Sequence, residues 1–144
     1  MVVLKTIFKY LLGFFILIQV IPISYEEQKK VDSALEMKAP AEIMGVFKRS
    51  CYACHSNETV LPWYSHVAPF SWSISRHVDL GRQWLNFSTW ETYSVEEKDK
   101  KMGEIYNAVF VAMPLRGYVS MHPEAELTPD ERKMIRDWTG KAPF

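Results

Sequence analysis

The run Cys51-Tyr52-Ala53-Cys54-His55 constrains this chain more than any other stretch of its sequence. Two thiols separated by two residues are followed at once by an imidazole, which is the C-x-x-C-H signature of haem attachment. In this chemistry the thiols of Cys51 and Cys54 add to the two vinyl groups of haem and form thioethers. His55 follows directly, so its imidazole is placed to bind the iron as the proximal ligand. The motif therefore predicts one covalent haem c, held by Cys51, Cys54 and His55.

A C-x-x-C pair also occurs in redox dithiols, in zinc sites and as two buried, inert thiols. Cys51 and Cys54 are the only cysteines, so zinc would need further ligands from four scattered histidines and the carboxylates. A thioredoxin-like dithiol is expected beside a βαβ pattern, and the sequence shows none. These interpretations stay open, and His55 together with the N-terminal segment favours haem.

Residues 1–24 have the pattern of an export signal. Lys5 and Lys9 form a basic start, and residues 10–23 are almost wholly apolar, broken only by Gln19. We find no clear small-residue cleavage site and no lipobox cysteine, so we expect an uncleaved signal anchor. A cleaved signal peptide and a buried core helix are the alternatives. Because haem c is attached outside the cytoplasmic membrane, the rest of the chain is expected on the periplasmic side, tethered to the membrane by this segment.

The remaining chain divides into a polar linker over residues 25–39 and one helical domain over residues 40–144. Apolar residues make up 48% of the chain, which is enough to build a packed core. The formal net charge is zero and no basic patch is visible, so nothing indicates a nucleic-acid partner. We expect an all-α fold: a small domain of helices wrapped around the haem and preceded by an N-terminal hydrophobic helix.

The helix boundaries follow from local signals. Pro40 suits the start of a helix whose apolar stripe continues through Cys54. A second helix is predicted over residues 73–85, and a third begins at the capping box Ser94 to Glu97. The last begins at Thr128, in a second capping box, and ends at Gly140.

Two packing expectations concern the surroundings of the haem. Gly45 lies inside the first helix of the domain, where a glycine costs about 1 kcal/mol relative to alanine, so a close helix crossing would justify it. Trp138 on the last helix is the partner suggested by size. The aromatic, proline-broken stretch over residues 62–72 is expected to cover the proximal side of the ring.

The second iron ligand is expected just after the third helix of the domain. Met113 is followed by Pro114, which stiffens the backbone, and a thioether is a soft ligand that raises the potential of haem iron. We therefore predict Met113 as the distal ligand, so that His55 and Met113 are the two metal ligands. Met121 and His122 compete for this role, and an open distal position is the remaining possibility.

In this order, the motif, the methionine-proline loop and the capped last helix resemble a small monohaem cytochrome c of the all-helical class I type. Longer runs resemble the exported haem-binding domain family of bacterial cytochrome-like proteins. These runs are residues 49–57, 62–64, 68–69, 71–72, 85–88, 113–114 and 122–127. The resemblance spans about residues 40–140 and implies one covalent haem c, His55 as proximal ligand and a cytochrome c-like fold. Many relatives have Met-Pro-Pro where this chain has Met113-Pro114-Leu115, which keeps the ligand and its first proline.

With His55 and Met113 both on the iron, no coordination position is left for a substrate. We therefore expect an electron carrier rather than a catalyst, with redox proteins as partners and the haem-attachment machinery as a partner during maturation. The alternative is a haem-based sensor or a small peroxidase-like enzyme with an open distal site, in which His122 or Arg116 acts on the bound ligand.

Overall fold

The structure, a computed structural model, describes residues 2–23, 25 and 31–142, and this part of the chain contains helices and loops without a strand. The α-helices are α1 (Val2–Ile18), α2 (Ala41–Ser50), α3 (Tyr52–His55), α4 (Phe70–Trp84), α5 (Val95–Val111), α6 (Arg116–Met121) and α7 (Pro129–Thr139). Short 3-10 helices occur at Trp63–His66, Phe87–Thr92 and Pro123–Ala125. The prediction of an all-α fold with an N-terminal hydrophobic helix is confirmed.

The core lies directly beneath the C-x-x-C-H motif. α5 packs against α7, α2 lies against both α3 and α7, and α3 packs against α4. Phe47 of α2 stacks on Phe87 with 4.8 Å between ring centroids, and Tyr52 of the motif also stacks on Phe87, at 5.3 Å. Burying a side chain of this size stabilises the fold by about 1.5–3 kcal/mol. The motif is therefore built into the core.

Both predicted capping boxes are present and start their helices as expected. Ser94 accepts from the backbone N–H of Glu97, and Thr128 accepts from that of Glu131, while each glutamate reaches back to the backbone N–H of the capping residue. Gly140 ends α7 with φ of 66°, a backbone conformation that glycine adopts without strain.

The first helix of the domain differs from the prediction. It ends at Ser50, because Cys51 has φ of −123° and breaks the helical path before the separate turn of α3. The predicted pairing of Gly45 with Trp138 is wrong, since a Cβ at Gly45 would meet nothing within 4 Å. Trp138 instead packs edge-on against Phe47 at 5.6 Å. Size alone suggested the pair, whereas the orientation of α2 turns Gly45 away from α7.

The packed core begins before the predicted domain boundary at residue 40. Met37 is 2% exposed, and its backbone N–H donates to the Phe87 carbonyl at 2.8 Å. Residues 24 and 26–30, which join the predicted leader to the predicted linker, lie outside the described residues. Among the residues described, no helix has both the length and the apolar character needed to cross a membrane.

Candidate functional site

A cavity of about 360 Å³ lies between the motif turn, α4, α5 and the loop after α5. Its volume falls within the range of about 300–1,000 Å³ that is usual for small-molecule and cofactor sites. Cys51, Cys54, His55 and Met113 all line it, so the four residues predicted from sequence share one cavity. The rest of the wall is mainly apolar, with Phe47, Leu80, Leu85, Phe87, Ile105 and Val109 among its members.

The two thiols lie at the ends of one short turn. The backbone N–H groups of Cys54 and His55 both donate to the Cys51 carbonyl, at 3.1 and 3.0 Å. Burial, reinforced by the neighbouring Cys54, raises the pKa of the Cys51 thiol to about 12, and burial also raises the pKa of Cys54. A reactive dithiol needs a lowered pKa, so this environment disfavours redox dithiol chemistry. It suits sulfur that stays uncharged, as thioether sulfur does.

His55 is oriented by a backbone contact. Its Nδ1 lies 3.0 Å from the Leu85 carbonyl oxygen, and a carbonyl can only accept, so Nδ1 carries the proton and Nε2 keeps its lone pair. Burial lowers the pKa of the imidazole, which keeps the ring neutral. A neutral imidazole whose second nitrogen is held by a carbonyl is the usual form of a metal-ligating histidine.

Gly81 lets α4 approach the motif turn. A Cβ at this position would lie 2.6 Å from the carbonyl oxygen of Cys54, closer than real Cβ contacts allow. Gly81 falls within the helix predicted over residues 73–85, but no role was predicted for it. The available signal was a glycine on the apolar face of an amphipathic helix, beside Val78.

Met113 is held at its backbone from two directions. Its N–H donates to the Ala108 carbonyl at 2.8 Å, and its carbonyl accepts from Nη1 of Arg132 at 2.8 Å. The same Nη1 donates to the Val109 carbonyl. Arg132 lies on α7, and no local pattern in the sequence indicates that it contacts Met113.

The competing distal ligands do not line the cavity. Met121 is 58% exposed. His122 has both ring nitrogens engaged, Nε2 with the Tyr64 hydroxyl at 2.5 Å and Nδ1 with a Glu124 carboxylate oxygen at 3.0 Å. Tyr118, which does line the cavity, stacks on the His122 ring at 4.5 Å. Met113 therefore lines the cavity, and His122 does not.

The expectation that residues 62–72 cover the ring is wrong, because none of them lines the cavity. Tyr64 turns instead to His122 and ties this stretch to the segment after α6. Other residues that the sequence analysis did not assign do reach the cavity. The lining also includes His77, Trp84, Lys101 and Glu104. Lys101 donates a hydrogen bond to the Trp84 carbonyl.

Within the part of the chain that the structure describes, no group of three or more His, Cys, Asp or Glu side chains is placed to hold a metal ion. A haem iron takes most of its ligands from the porphyrin and needs only one or two from the protein. His55 and Met113 are of the types that serve in this way.

Comparison with known families decides between the haem interpretation of the C-x-x-C-H motif and the zinc and dithiol interpretations. A family model described as a haem-binding domain matches residues 13–141. The chain belongs to the haem-binding domain family. The match includes the C-terminal third of α1. No curated protein and no solved structure is significantly similar to the chain.

The cavity of this haem-binding domain fits the cofactor that its family name implies. One apolar cavity is lined by two half-buried thiols, a neutral imidazole with a free nitrogen, and a thioether. Cys51, Cys54, His55 and Met113 are the residues that would hold the group.

Proposed function

We propose that this haem-binding domain is a monohaem c-type cytochrome that transfers electrons, with haem joined to Cys51 and Cys54. His55 and Met113 are the proposed axial pair. The observation that carries the proposal is that these four residues, spread over more than half of the domain, line one cavity.

The side chains around the cavity have distinct tasks in this function. When bound, haem supplies an iron centre that gains and loses one electron. His55 offers a neutral nitrogen because the Leu85 carbonyl holds its other nitrogen. Met113 offers a soft thioether that raises the potential of haem iron. The apolar walls limit water, and two protein ligands on the iron leave no position for a substrate.

We also propose that the protein acts on the periplasmic side of the cytoplasmic membrane, where α1 keeps it near redox partner proteins. The haem-attachment machinery would be a partner during maturation only. The support is the apolar character of α1 and the c-type motif, which needs attachment outside the cytoplasm. Trp84, 64% exposed beside the cavity, is the kind of large side chain that contributes strongly to protein contacts.

The alternative of a sensor or a peroxidase-like enzyme has less support. It needs a polar side chain that can act on a ligand at the distal iron position. The two side chains predicted for this role, His122 and Arg116, do not line the cavity, and His122 is already bound to Tyr64 and Glu124. Polar side chains that do line the cavity include Ser50, His77, Lys101, Glu104 and Tyr118.

The test is an absorption spectrum of the oxidised and reduced protein, produced with a haem-attachment system, beside Met113→Ala and the control Met121→Ala. We expect low-spin wild-type haem that stays on the polypeptide after denaturation, with the weak red band of sulfur-to-iron charge transfer. Met113→Ala should lose that band and bind carbon monoxide when reduced, and Met121→Ala should behave as wild type. A high-spin wild type that binds carbon monoxide readily would overturn the electron-carrier proposal. Haem released on denaturation would overturn covalent attachment.

A further inference from the structure

The side chains of Gln19 and Tyr25 fasten the segment that follows α1 to the domain. Gln19, directly after the helix, accepts from the backbone N–H of Ala68 at 2.9 Å and donates to the Ala68 carbonyl at 3.2 Å. Tyr25 adds a hydrogen bond from its hydroxyl to the Ser65 carbonyl at 2.5 Å. The helix therefore leaves the domain at a defined place, next to the first turn of α4.

From Tyr10 to Ile18, α1 is apolar around its whole circumference, whereas Lys5 and Lys9 lie in its N-terminal half. None of its residues is buried; Ile18 is half-buried, and the other large apolar side chains of α1 are between 43% and 78% exposed. A helix that is apolar on every side is stable only when it is surrounded by apolar material. A protein groove covers one side of a helix, whereas lipid covers all sides, so lipid is the occupant that matches this helix.

The surface beside the end of α1 has the composition of a membrane interface. Phe70 and Trp72, on the first turn of α4, are 63% and 37% exposed. Trp72 lines a shallow hollow together with Ile23 and Arg76, and Asp79 lies in the same hollow. Large aromatic side chains, tryptophan above all, favour the boundary between lipid chains and water, and cations near it are attracted to anionic headgroups.

We propose that Phe70, Trp72 and Arg76 form a lipid-contact surface continuous with α1, so that the first turn of α4 rests on the bilayer. This inference rests on the membrane attachment proposed above and names the part of the domain that touches lipid. The other end of α4, at Gly81 and Trp84, lines the haem cavity. No more than about 20 Å of helix separates the two ends, so the cavity is held close to the membrane surface.

The experiment uses the full-length, haem-loaded protein with one introduced cysteine that carries an environment-sensitive fluorophore. Phe70→Cys reports on the proposed surface. Lys133→Cys is the control, because it is exposed on α7, which packs against α2 and α5. Each labelled protein is mixed with phosphatidylcholine–phosphatidylglycerol vesicles, with and without bromine on the lipid chains. Energy transfer to the haem is the same in both vesicles and cancels in the ratio of emissions. Wild-type protein is the blank, because thioether formation leaves it no free thiol.

We expect every variant to float with the vesicles, and only the label at position 70 to lose emission in brominated lipid. Adding Gln19→Leu, which removes both contacts to Ala68 and keeps the segment apolar, should restore that emission without releasing the protein. Flotation with equal emission in both lipids at position 70 would overturn the lipid-contact surface and leave the membrane attachment standing. Quenching that survives Gln19→Leu would overturn the role of Gln19. Protein that does not float would overturn the membrane attachment itself, and labelling of the wild type would contradict covalent haem.

Discussion

Arg132 of α7 donates a hydrogen bond to the backbone carbonyl of Met113, with 2.8 Å between Nη1 and the oxygen. The same nitrogen also donates to the carbonyl of Val109 in the last turn of α5. One guanidinium therefore joins the end of α5 to the loop that presents the proposed distal ligand. This places Arg132 among the residues that position Met113.

We expect Arg132→Leu to weaken the proposed bond between Met113 and the haem iron. The change leaves two carbonyls without their donor, at about 1 kcal/mol each, and frees the loop. External imidazole should then bind the oxidised protein about tenfold more tightly for each 1.4 kcal/mol lost at the ligand, and the reduction potential should fall. Lys133→Leu, which changes an exposed neighbour on the same helix, is the control. An Arg132→Leu protein with wild-type imidazole affinity and potential would exclude the positioning role.

Gly81→Ala is expected to destabilise the motif turn. The new Cβ would lie 2.6 Å from the Cys54 carbonyl oxygen, and a backbone atom cannot move aside cheaply. Overpacking of this kind costs about 1–3 kcal/mol. Gly45→Ala is the matched control, because its Cβ meets nothing within 4 Å and removal of a helical glycine should stabilise α2 by up to about 1 kcal/mol. Urea unfolding of both variants compares the two, and equal effects would contradict the close crossing of α3 and α4.

Glu131 links the start of α7 to α2 and should make stability depend on pH. Its carboxylate accepts from the Thr128 backbone N–H at 2.9 Å and from Arg49 at 2.8 Å. These contacts, the backbone bond first, lower the pKa of Glu131 from its ordinary value of 4.5. A lowered pKa stabilises the folded state above the unfolded value and loses that effect as the pH falls through the folded value.

The Glu131→Gln variant should therefore be less stable than wild type at neutral pH, by about 1 kcal/mol. The loss is limited because the amide oxygen of glutamine can still accept the hydrogen bond from the Thr128 backbone N–H. The difference should shrink as the pH drops below the ordinary 4.5 of a glutamate. Urea unfolding across this range measures it. A stability difference that stays constant at every pH would show that ionisation of Glu131 does not stabilise the folded state.

His122→Ala should leave the spin state of the iron unchanged. The imidazole is bound by Tyr64 and Glu124 and does not line the cavity. The loss of the bond to Tyr64 is expected to cost about 1 kcal/mol of folding free energy. The measurement is the oxidised spectrum together with urea unfolding, and Tyr64→Phe is the companion variant. A high-spin spectrum in His122→Ala alone would make His122 a ligand and Met113 a bystander.

Much of the fold was predictable because its signals are local. The capping boxes at Ser94 and Thr128 each involve residues within one turn, so the sequence spacing is the structural spacing. The predicted helix through Cys54 was interrupted at Cys51 because packing of Phe87 against both Phe47 and Tyr52 sets the direction of the motif turn. Apolar periodicity does not record such a break.

By itself, the sequence determined which residues are the candidates for holding haem. The order of residues along the chain alone sets the spacing of Cys51, Cys54 and His55. It also places Pro114 directly after Met113. The tertiary structure decided which side chains hold those residues in place. Arg132 reaches Met113 and Gly81 touches Cys54 across long intervals of sequence. The physical reason is that such contacts depend on how each helix is rotated about its axis, and that rotation is set only when all the apolar faces are buried together.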